Sequence, residues 1–258
     1  MRTTENTNSD VQNPNRRRFL QQLASGLFVS SLNAQAFADE LQRTPWMTEG
    51  PFYPYNRLPL DKDNDLVIVG KSLTPAIGTI TQLSGRILDA KGNPIKDATI
   101  EIWQTDSNGV YLAQGSTGYE DKNFQGWGRF ETDSTGTYRF RTVKPVVYPG
   151  RSAPHIHMRV SVKGKQSLTT QLFIKGHPGN ARDNVFGQLR SIKEQILVAR
   201  EFAPIDGSKI GEVATMFDIV LGATPQEGER GGFRPGGGPP PPPPGGFGGP
   251  PPGRGHGF

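Results

Sequence analysis

The sequence predicts an all-β protein built on an antiparallel β-sandwich core. Short runs rich in β-branched and aromatic residues recur from Thr81 onward, and turn-forming clusters such as Lys91-Gly92-Asn93-Pro94 and Ser107-Asn108-Gly109 separate them. Helical periodicity is nearly absent, with only Arg182 to Arg190 offering a weak helical segment. The expected strands are Thr81 to Leu88, Thr99 to Gln104, Gly128 to Thr132, Thr137 to Thr142, Ile156 to Val162, Leu168 to Ile174 and Val213 to Leu221.

Four regions follow along the chain. Residues 1–38 contain Asn15-Arg16-Arg17-Arg18-Phe19-Leu20-Gln21, a twin arginine ahead of a modestly apolar stretch, with small residues at Ala34, Ala36 and Ala38. This pattern is that of a twin-arginine export signal cleaved after Ala38, and it predicts a periplasmic or extracellular protein that meets the twin-arginine export machinery. A stable membrane span is disfavoured, because Gln21, Gln22, Ser25, Ser30, Ser31, Asn33 and Gln35 interrupt the apolar run. Residues 39–80 form an irregular, Pro-rich arm expected to lie over the core, since proline at this density prevents regular helix. Residues 81–224 are the sandwich domain. Residues 225–258 are rich in Gly and Pro, with six consecutive prolines at Pro239 to Pro244, and are expected to be disordered with polyproline II character.

Composition excludes some functions. The formal net charge is +5, but residues 1–38 hold Arg2, Arg16, Arg17 and Arg18 against Glu5 and Asp10, so +3 remains for the rest. No nucleic-acid footprint is expected from so small an excess. Cysteine is absent, which removes disulfides and thiolate metal sites.

The chemistry-bearing stretch is Tyr148-Pro149-Gly150-Arg151-Ser152-Ala153-Pro154-His155-Ile156-His157. On an extended strand, His155 and His157 point to the same side and can reach one metal ion. Tyr111, which follows the turn-like Asp106-Ser107-Asn108-Gly109, is a further candidate ligand beside Tyr148. Two phenolates and two imidazoles make a hard, anionic donor set that favours ferric iron over zinc. His256 lies in the Gly/Pro-rich tail and is discounted. His177, in Gly176-His177-Pro178, is expected in a solvent-exposed turn, and Tyr138 and Trp103 in the core.

In order along the chain, TEGPFYP, SGRILDAKGNPIKDATIEIWQTDSNGVY, GRFETDSTGTYRFRTVKPVVYPG, PHIH and LTTQLFIKG resemble the intradiol ring-cleavage dioxygenases over about Thr48 to Gly176. The resemblance implies a ferric enzyme that opens a catechol between its hydroxylated carbons with O2, giving a cis,cis-muconate type diacid. It matches Tyr111 and Tyr148 to the equatorial and axial tyrosinates, and His155 and His157 to the axial and equatorial histidines. Tyr148 would accept a proton from substrate. Arg151 would stabilise negative charge on the ring, and Gln171 and Trp127 would line the site. The family arginine commonly stands three residues before the first histidine, whereas Arg151 stands four before His155. A one-residue bulge would restore its aim, and a shift of strand parity would turn it away. A homo-oligomer is expected, with no interface named.

Two other readings compete. SGRILDAKGNPIKDATIEIW also resembles transthyretin-like accessory modules, which bind without catalysis, and the His-Ile-His pair alone would suit another metal or copper enzyme. The full set of Tyr111, Tyr148, His155 and His157 separates the first reading from both. A ring carboxylate on the substrate would need a cation, for which Arg57, Arg129, Lys144 and Arg159 are candidates that the sequence does not place.

Overall fold

The computed structural model describes residues 40–113 and 115–222. The export signal and the Gly/Pro-rich tail therefore lie outside the described residues. The chain divides into residues 1–41, of which only Glu40 and Leu41 are described, and residues 42–258, which hold every element below.

The strands are β1 (Ile80–Leu88), β2 (Ala98–Trp103), β3 (Trp127–Glu131), β4 (Thr137–Val143), β5 (His155–Val162), β6 (Lys165–Ile174), β7 (Ala199–Arg200), β8 (Ala203–Pro204), β9 (Val213–Met216) and β10 (Ile219–Val220). Two 3-10 turns, Asn180–Arg182 and Phe186–Gln188, and one short helix α1 (Ile192–Val198) separate β6 from β7. The strands form two five-stranded sheets among the described residues, ordered β3-β2-β5-β6-β7 in one, while in the other β1 lies between β4 and β9, with β8 and β10 completing it.

The all-β sandwich is the fold expected, but its sheets are mixed. β1 pairs antiparallel with β4 and parallel with both β9 and β10, and β6 runs parallel to β7. Parallel pairing needs a crossover of a dozen residues or more, and the excursion through the 3-10 turns and α1 supplies one between β6 and β7. That excursion also corrects two expectations. Arg182 to Arg190 is no helix; the helix follows it, and its signal is Ser191-Ile192-Lys193-Glu194, where Ser191 Oγ accepts from the Glu194 amide at 3.2 Å. The strand expected over Val213 to Leu221 breaks at Phe217-Asp218, because Asp218 turns its carboxylate to the Arg86 amide and guanidinium.

The core lies where the two sheets face each other. Ile100, Ile102, Ile156, Met158 and Leu172 come from one sheet, and Leu83, Ile87, Tyr138, Phe140 and Ile219 from the other, all buried in one cluster. Burial of this apolar area is the main stabilising term. Strand alternation then places His155, His157 and Arg159 on the opposite face of β5. Cross-strand pairing sets Trp103 and Gln171 on either side of His157, and Glu101 beside Arg159.

That second face is covered by the Pro-rich arm, which carries no helix or named strand among its described residues before Ile80, where β1 begins. The arm first runs along β6, where Met47 N donates to Thr169 O at 2.9 Å and Thr170 Oγ1, on the core side, to Pro45 O at 2.8 Å, and it reaches the second face where Gln171 Nε2 donates to Thr48 O at 2.8 Å. Farther along, Arg159 bonds Glu101 at 2.8 Å, and its guanidinium lies 3.9 Å from the centre of the Tyr53 ring. Tyr53 Oη donates to Glu101 at 2.7 Å, fastening the arm to β2 and β5 together.

β1 must pass close to the Phe217 backbone, and Gly85 permits it: a Cβ there would lie 2.0 Å from Phe217 O. Gly85→Ala is expected to destabilise the fold by roughly 1–3 kcal/mol, read as a lowered midpoint in urea with an unchanged m-value.

Candidate metal centre

Four side chains from separate stretches of chain converge on the arm-covered face. His155 and His157 open β5, Tyr111 follows the Asp106 turn, and Tyr148 stands in the loop between β4 and β5. The Asp106 carboxylate caps its turn by accepting from the Asn108 and Val110 amides, both at 2.9 Å, which fixes the backbone just before Tyr111. His155 Nε2 lies 3.1 Å from His157 Nε2, and Tyr111 Oη lies 3.1 Å from His157 Nε2 and 3.4 Å from His155 Nε2. Tyr148 Oη completes the group at 3.4 Å from Tyr111 Oη. Tyr111, His155 and His157 are buried, each 2 % exposed, whereas Tyr148 is half-buried.

The surroundings aim each donor. His155 Nδ1 donates to Ala153 O at 2.7 Å, which leaves Nε2 as the lone-pair end facing the cluster. The His157 ring is stacked on Trp103, with centroids 4.9 Å apart and planes 8° from parallel. Phe52 of the arm stacks on Tyr111 at 4.7 Å and meets Tyr148 edge-on at 6.1 Å.

Arg151 points into this cluster, by a route other than a bulge or a parity shift. Tyr148-Pro149-Gly150-Arg151 is a reverse turn, with Pro149 second and Gly150 third at φ 91°, and the Arg151 amide donates to Tyr148 O at 3.0 Å. The turn sets both side chains next to the histidines. Arg151 Nη1 reaches His155 Nε2 at 3.1 Å, Nη2 donates to Gln171 Oε1 at 2.9 Å and Nε donates to Asp183 Oδ2 at 2.8 Å. Gln171 is fully buried and thus meets the site through Arg151.

Sequence reasoning missed Asp183. Its side chain is fully buried, and besides Arg151 it accepts from the amides of Ala153, Val185 and Phe186. Its nearest local signal is Asp183-Asn184-Val185-Phe186, an Asx-type turn ahead of a 3-10 segment. Trp127 packs with Tyr53, Trp103, Tyr111 and Ala113, on the buried side of the candidate ligand Tyr111, and does not line the open cavity beside Tyr148. Tyr138 lies in the core as expected, its hydroxyl donating to Phe217 O. His177 is half-buried and borders the cavity.

Burial pushes the Tyr111 phenol well above its usual pKa, and the neighbouring Tyr148 adds to the rise. Tyr148 is raised by burial too, against the opposing influence of Tyr111 and Arg151. The histidines move the other way: burial, reinforced by Arg151, takes His155 down to about 3, and burial, His155 and Arg151 drive His157 well below its ordinary value. Both imidazoles therefore offer lone pairs at neutral pH, while the phenols need a cation between them to ionise. No group of three His, Cys, Asp or Glu side chains suited to a metal occurs among the described residues, so a metal here depends on phenolic oxygen. The donor set and its convergence fit a hard trivalent ion.

A family model described as dioxygenase matches residues 48–223. The hydroxyquinol 1,2-dioxygenase of Corynebacterium glutamicum is 29% identical over 221 residues, spanning 77% of this chain and 69% of that one. The protocatechuate 3,4-dioxygenase beta chain of Burkholderia cepacia is 32% identical over 178 residues, spanning 64% of this chain and 75% of that one. Among solved structures, the dioxygenase domain of a dioxygenase carbohydrate-binding protein fusion from Streptomyces sp. SirexAA-E superposes with a TM-score of 0.53 at 26% identity, covering 71% of this chain and all of that one.

Asp183 holds its charge because Arg151 and the Phe186 and Ala153 amides outweigh the effect of burial and keep its pKa below 3.8. A depressed carboxyl stabilises the fold above the unfolded pKa and loses that contribution as pH falls through the folded one. Asp183→Asn is expected to cost about 2 kcal/mol at pH 7. In urea titrations of metal-free protein, the gap between wild type and variant should narrow as pH drops below 3.8.

Proposed function

Because this chain belongs to the intradiol dioxygenase family, we propose that it is a non-haem ferric enzyme inserting both atoms of O2 into a catechol-type aromatic. The ring opens between the two hydroxylated carbons to a cis,cis-muconate type diacid. The observation that carries this reading is the approach of Tyr111 Oη, Tyr148 Oη, His155 Nε2 and His157 Nε2 to within 3.1–3.4 Å of one another along the chain of contacts between them. Neither a binding module nor a histidine-only metal site has a use for two phenols turned toward the histidine pair.

When bound, ferric iron supplies a Lewis-acid and redox centre that draws electron density from a chelated diol and makes its ring reactive toward O2. The chain's own residues do the rest. His155 and His157 are neutral donors that add no charge to the site. Tyr111, buried under Phe52, is the phenol held in place throughout. Tyr148, half-buried and bordering the cavity, would in its phenolate form take the proton of an incoming hydroxyl and become the neutral phenol. The Arg151 guanidinium, held by Asp183 and Gln171, stabilises negative charge on the ring. Trp103 and Phe52 keep water from the buried side. Export through the twin-arginine route and assembly into a homo-oligomer belong to the same proposal, and export would direct the enzyme at environmental aromatics.

Visible absorption of the iron-quantified protein under anaerobic conditions tests the reading. A phenolate-to-ferric band that shifts on adding catechol is expected; a protein that stays colourless after ferric reconstitution overturns it and brings the transthyretin-like binding module forward. Tyr148→Phe should reduce kcat under O2 by roughly 10²–10⁴-fold, whereas Tyr138→Phe, in the core, should leave the spectrum unchanged.

A further inference from the structure

The two histidines of the cluster are held in different ways. His155 Nδ1 donates to Ala153 O at 2.7 Å. His157 Nδ1 is buried and meets no hydrogen-bond partner among the described residues. Gln171, opposite His157 on β6, is committed elsewhere, with Oε1 accepting from Arg151 and Nε2 donating to Thr48 O. On the arm side, a Cβ at Gly50 would lie 3.6 Å from His157 Cε1, so backbone without a side chain stands over that edge of the ring. A metal-bound imidazole is ordinarily aimed by a hydrogen bond from its other nitrogen, and His157 has none to a neighbouring residue.

In its place His157 has a flat ring against it. Trp103 stands directly opposite in the β2–β5 pairing, and the two rings lie 4.9 Å apart with planes 8° from parallel. Trp103 is fully buried, yet its Nε1 also has no partner among the described residues. A buried indole usually finds an acceptor, so what Trp103 brings to the site is its ring face. The next cross-strand pair on the same face is Glu101 with Arg159. Tyr53 of the arm bridges the two pairs. Its ring meets Trp103 edge-on at 5.0 Å and lies 3.9 Å from the Arg159 guanidinium, and its hydroxyl donates to Glu101 at 2.7 Å. Arg159 Nε donates to Glu101 at 2.8 Å. Trp103 is thus packed on His157 and on a tyrosine that an ion pair fixes.

We propose that Trp103, supported by Tyr53, is a positioning residue whose ring face replaces the missing hydrogen bond and holds the His157 imidazole with Nε2 toward Tyr111 and His155. The metal it serves rests on the proposed function; the stack does not. An N–H that donates to a carbonyl makes the opposite nitrogen the better ligand. His155 is therefore the stronger of the two donors, and the weaker one depends on packing for its aim.

Two measurements separate the positioning role from the function it serves. Competition with a chelator reads the ferric affinity of wild type, Trp103→Phe and Trp103→Leu. Trp103→Leu is expected to lower it roughly 10–100-fold, the usual effect of removing a group that orients a ligand, while Trp103→Phe keeps a ring face and most of the affinity. NMR of the metal-free proteins follows the His157 ring protons, which lie in the Trp103 ring current. One ring orientation is expected in wild type and Trp103→Phe, and exchange between orientations in Trp103→Leu. A wild type that takes no ferric ion defeats the ring-cleavage reading and leaves the NMR to judge the positioning role. Should Trp103→Leu fail to fold, Tyr53→Leu, a change in the arm outside the strands, takes its place with a smaller loss in the same direction. Equal losses in the Phe and Leu variants, an affinity unmoved by Trp103→Leu, or a His157 ring that stays fixed in it overturns the proposal. So does a hydrogen-bonded Nδ1 proton on His157 in wild type loaded with gallium(III), a diamagnetic stand-in for ferric iron.

Discussion

The histidine pair on β5 constrains everything around it. A strand has two faces, and Ile156 and Met158 commit one of them to the sandwich core, so His155 and His157 must project from the other. A polar outer face would ordinarily be solvated. Here it is buried, because the Pro-rich arm crosses it, with Thr48 O accepting from Gln171, Phe52 stacked on Tyr111 and Tyr53 bonded to Glu101. The candidate metal centre is thus an outer sheet face converted into an interior by a segment with no regular structure of its own.

Burial without a metal costs free energy, and the site records that cost in opposite directions. The phenols are pushed toward retaining their protons and the imidazoles toward losing theirs, since each charged form has lost its water. A trivalent cation would reverse the penalty for the phenols and use the lone pairs that burial has freed on the imidazoles. Arg151 is the one charge placed permanently at the cluster, and it is balanced by Asp183 rather than by solvent. The arginine can consequently face an anionic ring without being drawn away to a surface carboxylate.

The two tyrosines differ in depth. Tyr111 is sealed by Phe52 and by the cluster that contains Trp103 and Trp127, whereas Tyr148 borders open space on the reverse turn it shares with Arg151. The segment after β6 completes that open side. It brings Asp183 to the Arg151 guanidinium and Arg182 to the cavity wall, two neighbours in sequence of opposite charge.

The sequence by itself determined the strands from β1 to β6, the same-side placement of His155 and His157, and the ligand-capable set with Tyr111 and Tyr148, because these depend on periodicity and side-chain chemistry that are local. It left the aim of Arg151 open, since the answer lay in a Pro-Gly reverse turn rather than in strand register. Only the tertiary structure decided what Asp183 does, which side of the sheet the arm covers and which cation faces the cavity. Those depend on contacts such as Arg151 with Asp183, 32 residues apart, and Gln171 with Thr48, 123 apart. Pairing over such distances is selected by the packing of the whole domain, to which no local pattern of residues gives access.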